Sequence, residues 1–279
     1  MMINHYDEGR VLAVLQLDHS RMAGYLAAHW GNDEFEELHP FTSMVVAAQE
    51  HDSGWWDWEI KPTLTSDGYP IDYQGSTKHL GPVKLELYRN AIDRVGARDP
   101  YAGYIVLLHQ VGLLTQGGGL LPRMPDFSRG PGVPEFLAEQ ENDRQDLLAT
   151  LRRDPQYREA ATDEHLWHNY KMMEVFDQFA QFVCNRYPFD SDRRQNGPSH
   201  TLSNAPIPTR MGEPDTTISI DVVDATKAIV RPYPFAVDPL RIDFQGRLLP
   251  ATPFDSEAAF HRAFYKAERV NVSYTLHAA

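Results

Sequence analysis

The chain has 279 residues, enough for one large domain or for one domain with an appendage. Its content of 42% hydrophobic and 23% charged residues is ordinary for a globular protein, and its net charge of −13 argues against nucleic acid polymers and anionic membranes as partners, because both reward a positive surface. No apolar run is long enough to span a bilayer, and the single cysteine, Cys184, fits a reducing compartment, so we expect a cytoplasmic protein.

Hydrophobic periodicity and helix-stop residues predict the elements of the first half of the chain. In chain order these are a strand at residues 10–17 and helices from Asp18 to Trp30, from Phe41 to the pair His51 and Asp52, at 81–96 and at 100–115. Gly54 is expected to end the second of these helices. Two stretches rich in glycine and proline, 59–79 and 116–134, are predicted to be long loops, and the second is either a mobile lid or a simple connector.

The hydrophobic pattern of the second half of the chain is first helical and then changes to the alternation typical of strands. Helices are predicted at 134–153 and 156–186, and alternating apolar residues after 216 predict strands with one short helix near 256–266. We therefore expect a mainly α-helical protein with three parts: a helical bundle at 1–187, a proline-rich linker or wrap at 188–215, and a small β-rich extension at 216–279 packed on the bundle. The strand near residue 10 could join the sheet of that extension and bring both ends of the chain together.

Five polar residues fall on the apolar stripes of four predicted helices: His19, His51, Asp52, His109 and Asp177. Each has an ordinary explanation, because a lone histidine on a helix is more often a hydrogen-bonded core residue than a ligand, and a lone buried aspartate usually caps a helix or pairs with an arginine. Together, two histidines and two carboxylates can bind a divalent transition metal such as Fe, Mn, Zn or Ni. By contrast, His165 and His168 lie on different faces of one helix, and we expect both to be solvated.

Three motifs resemble a known group of proteins: Gln-Leu-Asp-His-Ser-Arg-Met-Ala-Gly at 16–24, Glu-His-Asp-Ser-Gly-Trp at 50–55 and Phe-Asp-Gln-Phe at 176–179. The order His…His-Asp…Asp on successive helices resembles the HD-domain superfamily of metal-dependent phosphohydrolases. More narrowly, the motifs resemble a bacterial family of unknown function, DUF3891, over most of the chain. The resemblance implies an HD-like helical bundle in which His19, His51, Asp52 and Asp177 are the metal ligands.

The same resemblance suggests a role for His109 and a number of metal ions. His109 lies where some members of the superfamily place a further histidine that serves a second metal or the substrate. Members with two metals usually offer two histidines in that interval, and His109 is the only well-placed one here. We therefore expect one metal ion, with His109 and Asp52 as catalytic residues.

Other residues are weaker candidates for substrate binding. Trp55 and Trp58 directly follow the His-Asp pair and form either an aromatic wall for a substrate or a cover for the end of the bundle. Arg123 in the glycine- and proline-rich loop could contact an anionic group, although loop arginines are usually solvated.

The function expected from the resemblance is hydrolysis of a small phosphorylated substrate, such as a nucleotide, by a metal-dependent enzyme. Two alternatives stay open: an HD-type non-haem iron oxygenase, and a non-catalytic binding or scaffold protein with a relict site. The sequence names neither the metal nor the oligomeric state.

Overall fold

The computed structural model describes residues 1–120, 124–186 and 199–279. Its helices are α1 Gln16–Ala28, α2 Phe41–Glu50, α3 Trp56–Glu59, α4 Ser76–Leu80, α5 Pro82–Arg98, α6 Pro100–Thr115, α7 Val133–Arg153, α8 Asp163–Arg186 and α9 Glu257–Lys266. Its strands are β1 Met2–Asp7, β2 Arg10–Val14, β3 Ser199–Ile207, β4 Thr216–Asp224, β5 Lys227–Arg231, β6 Leu240–Pro250 and β7 Arg269–His277. Within these described residues, no helix is long and apolar enough to cross a membrane.

One seven-stranded sheet combines both ends of the chain. Its strand order is β1-β2-β6-β7-β5-β4-β3, with antiparallel pairs throughout except the parallel pair β5 and β7. The sheet is curled into a half-barrel, and the described residues are 50% helical with 20% strand. The expected mainly α-helical bundle with a small β-rich extension is therefore wrong, because the sheet is a major layer of the fold.

The N-terminal strand does join the C-terminal strands. β2 pairs with the far end of β6, with Arg10 opposite Pro250 and Ala13 opposite Arg247, which confirms the prediction that both chain ends meet. β6 alternates buried and exposed residues along most of its length, so one face of the sheet is apolar and packs on helices. The strands β1, β3 and β5 were not predicted.

The helical layer packs on the sheet around one large core cluster. Residues of strands and helices share a single buried cluster, in which Trp30 after α1 contacts both Phe176 of α8 and Phe235 before β6 through its ring. α8 also lies against β1 and β3. This packing fixes α1 and α8 beside each other, and these two helices carry two of the candidate ligands.

Glycine lets α1 and α2 approach closely. A Cβ added at Gly24 of α1 would lie 2.5 Å from the Cβ of Gln49 in α2, which is shorter than any ordinary contact. Only the missing side chain allows the two helices to pack at this distance. The close approach brings His19 of α1 and His51, directly after α2, to the same place.

Element boundaries agree in part with the sequence prediction. The helices expected at 81–96, 100–115 and 134–153 are present as α5, α6 and α7. α2, however, ends at Glu50, with His51 as its C-terminal cap, and Gly54 lies inside a following 3-10 turn at Ser53–Trp55. The stretch 59–79 is less irregular than expected, because it contains a 3-10 turn and most of α4. Residues 188–198 of the expected linker lie outside the described part of the chain.

Candidate metal centre

Three residues from α1, the end of α2 and α8 form a buried cluster. The candidate ligand atoms of His19, His51 and Asp177 all lie within 4.8 Å of one another. The two imidazole rings are edge to face, with centroids 5.3 Å apart. The three side chains supply two nitrogens and an oxygen, a combination that binds Zn, Fe or Mn in proteins, so this cluster could hold a metal ion.

The tautomer of His51 is fixed by the backbone. Its Nδ1–H donates a hydrogen bond to the carbonyl of Ala48 at 2.8 Å, and a carbonyl can only accept. In the neutral ring, Nε2 therefore carries a lone pair, and it lies 3.4 Å from Oδ2 of Asp52 and 3.4 Å from Oδ1 of Asp177. Among the described residues Nε2 makes no hydrogen bond. A buried lone pair facing two carboxylates needs a proton or another cation between them.

Asp177 joins the two imidazoles through one oxygen. The Nε2–H of His19 donates to Oδ1 of Asp177 at 2.8 Å, while Oδ2 accepts a hydrogen bond from the side-chain amide of Gln181 at 2.6 Å. On the other side of the His19 ring, Nδ1 is buried and has no hydrogen-bond partner within the described residues. The cluster thus contains two ring nitrogens whose hydrogen-bonding capacity the surrounding protein does not use.

Asp52 lies beside the cluster but outside the group of three. Its Oδ2 is 3.4 Å from Nε2 of His51 and accepts a hydrogen bond from the side-chain amide of Gln16 at 3.1 Å. Gln16 is buried in the first turn of α1, and its own backbone N–H donates to Glu59. Such outer contacts orient carboxylates that surround a metal. Asp52 is therefore positioned as a fourth ligand or as a partner of a ligand.

The pKa directions show that the cluster requires positive charge. Burial acts to lower the pKa of His51, but Asp52 and Asp177 overcome it and raise this pKa well above its ordinary value. Burial acts to raise the pKa of both aspartates, yet His51 holds that of Asp52 low, and the hydrogen bond from His19 together with the nearby His51 imidazole holds that of Asp177 well below its ordinary value. The carboxylates are thus ionised, and the balancing charge lies on the imidazoles or on a bound cation. This chemistry fits a divalent metal.

His109 of α6 forms a second buried pair next to the cluster. Its Nδ1–H donates to Oε1 of Glu174 in α8 at 2.7 Å, and its ring is edge to face with that of His51 at 5.1 Å between centroids. Burial acts to lower the pKa of His109, but Glu174 outweighs it and raises this pKa. Because Glu174 occupies Nδ1, the ring atom left for proton exchange is Nε2.

Neighbouring helices hold the segment that carries His51 and Asp52. The side-chain amide of Gln110 in α6 donates to the carbonyl of His51 at 2.8 Å. A Cβ added at Gly54 would lie 1.8 Å from the carbonyl oxygen of Leu87 in α5, so only glycine lets the 3-10 turn press against that helix. The ligand-bearing segment is therefore fixed from two sides.

The candidate substrate-binding residues lie in different surroundings. Trp55 and Trp58 are buried in a second apolar cluster with residues of β2, β6 and α9, and the indole N–H of Trp58 donates to Thr63. Arg123 lies outside the described residues. A role of these three residues in substrate binding stays a prediction.

Several residues around the centre were not found from the sequence. Gln110 and Glu174 lie outside the quoted motifs, Gln16 opens the first motif without having been assigned a role, and only the helix packing reveals that these three residues contact the cluster. Glu174 could have been suspected, since it lies three residues before Asp177 on the buried face of α8. His165 was expected to be solvated, which is wrong: it is buried and its Nε2–H donates to the carbonyl of His39 at 2.6 Å.

Comparison with known proteins gives one match. A family model described as "Protein of unknown function (DUF3891)" matches residues 1–251, which include every residue of the cluster. No curated protein and no solved structure matches the chain. Because the matched segment covers nearly the whole sequence, the chain belongs to the DUF3891 family.

Proposed function

We propose that this chain is a metal-dependent hydrolase of a small phosphorylated substrate, such as a nucleotide, with one divalent transition metal held by His19, His51, Asp52 and Asp177. The observation that carries the proposal is the environment of His51. Its Nδ1–H is committed to the Ala48 carbonyl, so Nε2 presents a lone pair toward two carboxylates 3.4 Å away. A metal ion satisfies all three groups at once, and without a metal a proton on Nε2 of His51 takes the place of that positive charge.

The hydrolytic reaction follows from the groups beside the metal ligands. A divalent metal lowers the pKa of a coordinated water and polarises a phosphoryl oxygen. Asp52 accepts the hydrogen bond of Gln16 at Oδ2, and no described residue donates to its Oδ1, which is the oxygen we assign to orienting the attacking water. His109, held at Nδ1 by Glu174, can donate a proton from Nε2 to the leaving oxygen.

The proposal includes a relation to the HD-domain superfamily. Its support is the chain order of the cluster, with one histidine on α1, the His-Asp pair at the end of α2 and the last aspartate on α8. The half-barrel sheet is an addition to that helical scheme, so the relation concerns the helices that bear the cluster and not the whole chain.

Elemental analysis of protein purified without a histidine tag tests the metal site. We expect about one equivalent of metal in the wild type and loss of it in His19→Gln and Asp177→Asn. The matched control is His165→Gln, which removes another buried helical histidine whose partner is a backbone carbonyl, and it should keep the metal.

Turnover of phosphate monoesters by the metal-loaded protein tests the reaction. His109→Gln should retain the metal and lose roughly 100-fold or more in kcat, as expected for loss of a general acid. Retention of full turnover by His109→Gln would remove its role. Two equivalents of iron with oxygen consumption would replace hydrolysis by oxygenase chemistry, and absence of metal after reconstitution would leave a non-catalytic protein.

A further inference from the structure

Lys84, in the first turn of α5, differs from the other basic residues of its helix. The three arginines of α5 form ion pairs at 2.7–2.9 Å: Arg89 with Glu139, Arg94 with Asp57 and Arg98 with Glu50. Lys84 has no carboxylate within ion-pair distance among the described residues. It is also only partly exposed. A half-buried ammonium group without a counter-ion is costly, so its retention needs a reason.

The position of the Lys84 ammonium group is fixed. Its Nζ donates to the hydroxyl of Thr77 in α4 at 2.8 Å and lies 5.5 Å from the ring centroid of Tyr88. An ammonium group has three donors, and Thr77 is the one hydrogen-bond acceptor that the described residues offer it. Two donors therefore remain for a ligand.

Lys84 belongs to the surroundings of the metal centre. The N-terminal half of α5 runs against the 3-10 turn after Asp52, with the Leu87 carbonyl in contact with Gly54. Burial lowers the pKa of Lys84 to about 8, while the charge of Asp52 acts in the opposite direction. Asp52 and Asp177 similarly add to the effect of burial in raising the pKa of Tyr88, one turn along the helix.

The charges of the centre favour an anionic ligand at this place. With neutral imidazoles, Asp52 and Asp177 contribute two negative charges, which one divalent metal ion balances. Glu174 is paired with His109. The positive charge of Lys84 is then left without an ion-pair partner in the described part of the chain, on the helix that packs against the turn after Asp52.

We propose that Lys84 binds an anionic phosphate group of the molecule that occupies this site. The inference rests on the proposed function for the identity of that molecule as substrate, but the anion-binding role of Lys84 can be tested without turnover. The tetrahedral oxygens of a phosphate group, like those of sulfate, accept hydrogen bonds from an ammonium group. Burial lowers the pKa of Lys84, and a phosphate bound to its ammonium group should raise that pKa again.

The experiment is calorimetric titration of orthophosphate, and of phenyl phosphate in a second arm, into the metal-reconstituted full-length protein at pH 7. We expect Lys84→Met to weaken binding of both by roughly 10-fold or more, as loss of a charged hydrogen bond does. Lys84→Arg should recover part of the affinity. The matched control is Lys78→Met, which removes the same charge from an exposed position one residue after Thr77 and should change affinity less than about twofold.

A second readout separates ligand binding from a merely structural role. Selective ¹⁵N-labelling of lysine side chains gives an NMR signal for the Lys84 ammonium group without removing its donors; the signal is assigned by its loss in Lys84→Met, and the pKa of Lys84 should rise when orthophosphate is added. Thr77 and Tyr88 contact this ammonium group, and the charge of Asp52 acts on its pKa without a direct contact among those described.

Two results would overturn the proposal: no orthophosphate binding by the wild type, or equal binding by Lys84→Met and the wild type. Failure of the proposed function is distinguishable, because it appears as absent turnover of phosphate esters by the metal-loaded protein while the lysine-dependent phosphate affinity persists.

Discussion

Replacement of Gly54 by alanine should disrupt both the fold and the metal centre, because the backbone of α5 occupies the space that a side chain would need. A Cβ at residue 54 would lie 1.8 Å from the carbonyl oxygen of Leu87, 2.8 Å from its carbonyl carbon and 2.9 Å from the backbone nitrogen of Ala91. All three are main-chain atoms of one helix. No rotation of a side chain can relieve these contacts.

The magnitude follows from the size of the overlap. Ordinary C···O contacts are about 3.3 Å or longer, so the 3-10 turn and α5 must separate by roughly 1.5 Å. Overpacking in a core usually costs about 1–3 kcal/mol, and the value rises where backbone has to move. We expect Gly54→Ala to lower the free energy of unfolding by about 3 kcal/mol or more. Because Asp52 lies two residues away, metal affinity should also fall.

Urea unfolding followed by tryptophan fluorescence measures the first effect, and competition with a chelator measures the second. The matched control is Gly96→Ala, in the same helix α5, where the added Cβ would be 4.0 Å from the Cα of Gly103. That contact is ordinary, and the gain in helix propensity should leave this variant neutral or up to about 1 kcal/mol more stable. A Gly54→Ala protein within about 0.5 kcal/mol of the wild type, with unchanged metal affinity, would refute the reasoning.

Two further predictions concern residues that surround the centre. Gln16→Leu removes the amide that donates to Asp52 at 3.1 Å, and it should weaken metal binding by about 10- to 100-fold in the chelator assay. Gln145→Leu, at an exposed position, is the control and should not weaken metal binding. Equal metal affinities of Gln16→Leu and the wild type would mean that Asp52 is not a ligand. Burial lowers the pKa of Lys84 from 10.5 to about 8, so the unfolded chain holds the Lys84 proton over this pH window after the folded chain has released it. Stability should therefore rise with pH between about 8 and 10.5 in the wild type relative to Lys84→Met, measured by urea midpoints, and parallel midpoints would contradict the buried position of Lys84.

The helices could be predicted from the sequence, but the sheet could not be recognised as a major layer. α5, α6 and α7 carry long apolar stripes, and their predicted limits were correct to within about two residues. β1 is short and contains Asn4, His5 and Asp7, which obscure its alternation. β1 and β2 are also separated from β6 by more than 200 residues of chain, and pairing over such a distance leaves no local signal. Because the strands come from both ends of the chain, the sequence predicted only a small β-rich extension and not a sheet that forms a major layer.

The candidate site could likewise be predicted only in part from the sequence. Helical period alone placed His19, His51, His109 and Asp177 on inward faces, and all four are buried. The period cannot show which inward residues from different helices meet. Gln16 and Glu174 lie on such faces too, yet their contacts with Asp52 and His109 depend on how α1 and α8 pack against neighbouring segments.

Burial of a polar residue is not sufficient to mark a functional site in this protein. His165 is a buried polar residue, as His51 is, but its ring donates a hydrogen bond to the carbonyl of His39 and contacts no carboxylate of the described residues that would call for a cation. His51 also has one ring nitrogen satisfied by a carbonyl, and the difference lies in the other nitrogen, which faces two ionised carboxylates without a hydrogen bond to any described residue. The two histidines thus differ because His51 has a ring nitrogen without a hydrogen bond to any described residue, and that nitrogen lies beside two ionised carboxylates. By that criterion, the cluster between α1, the end of α2 and α8 is the place in this fold that could hold a cation.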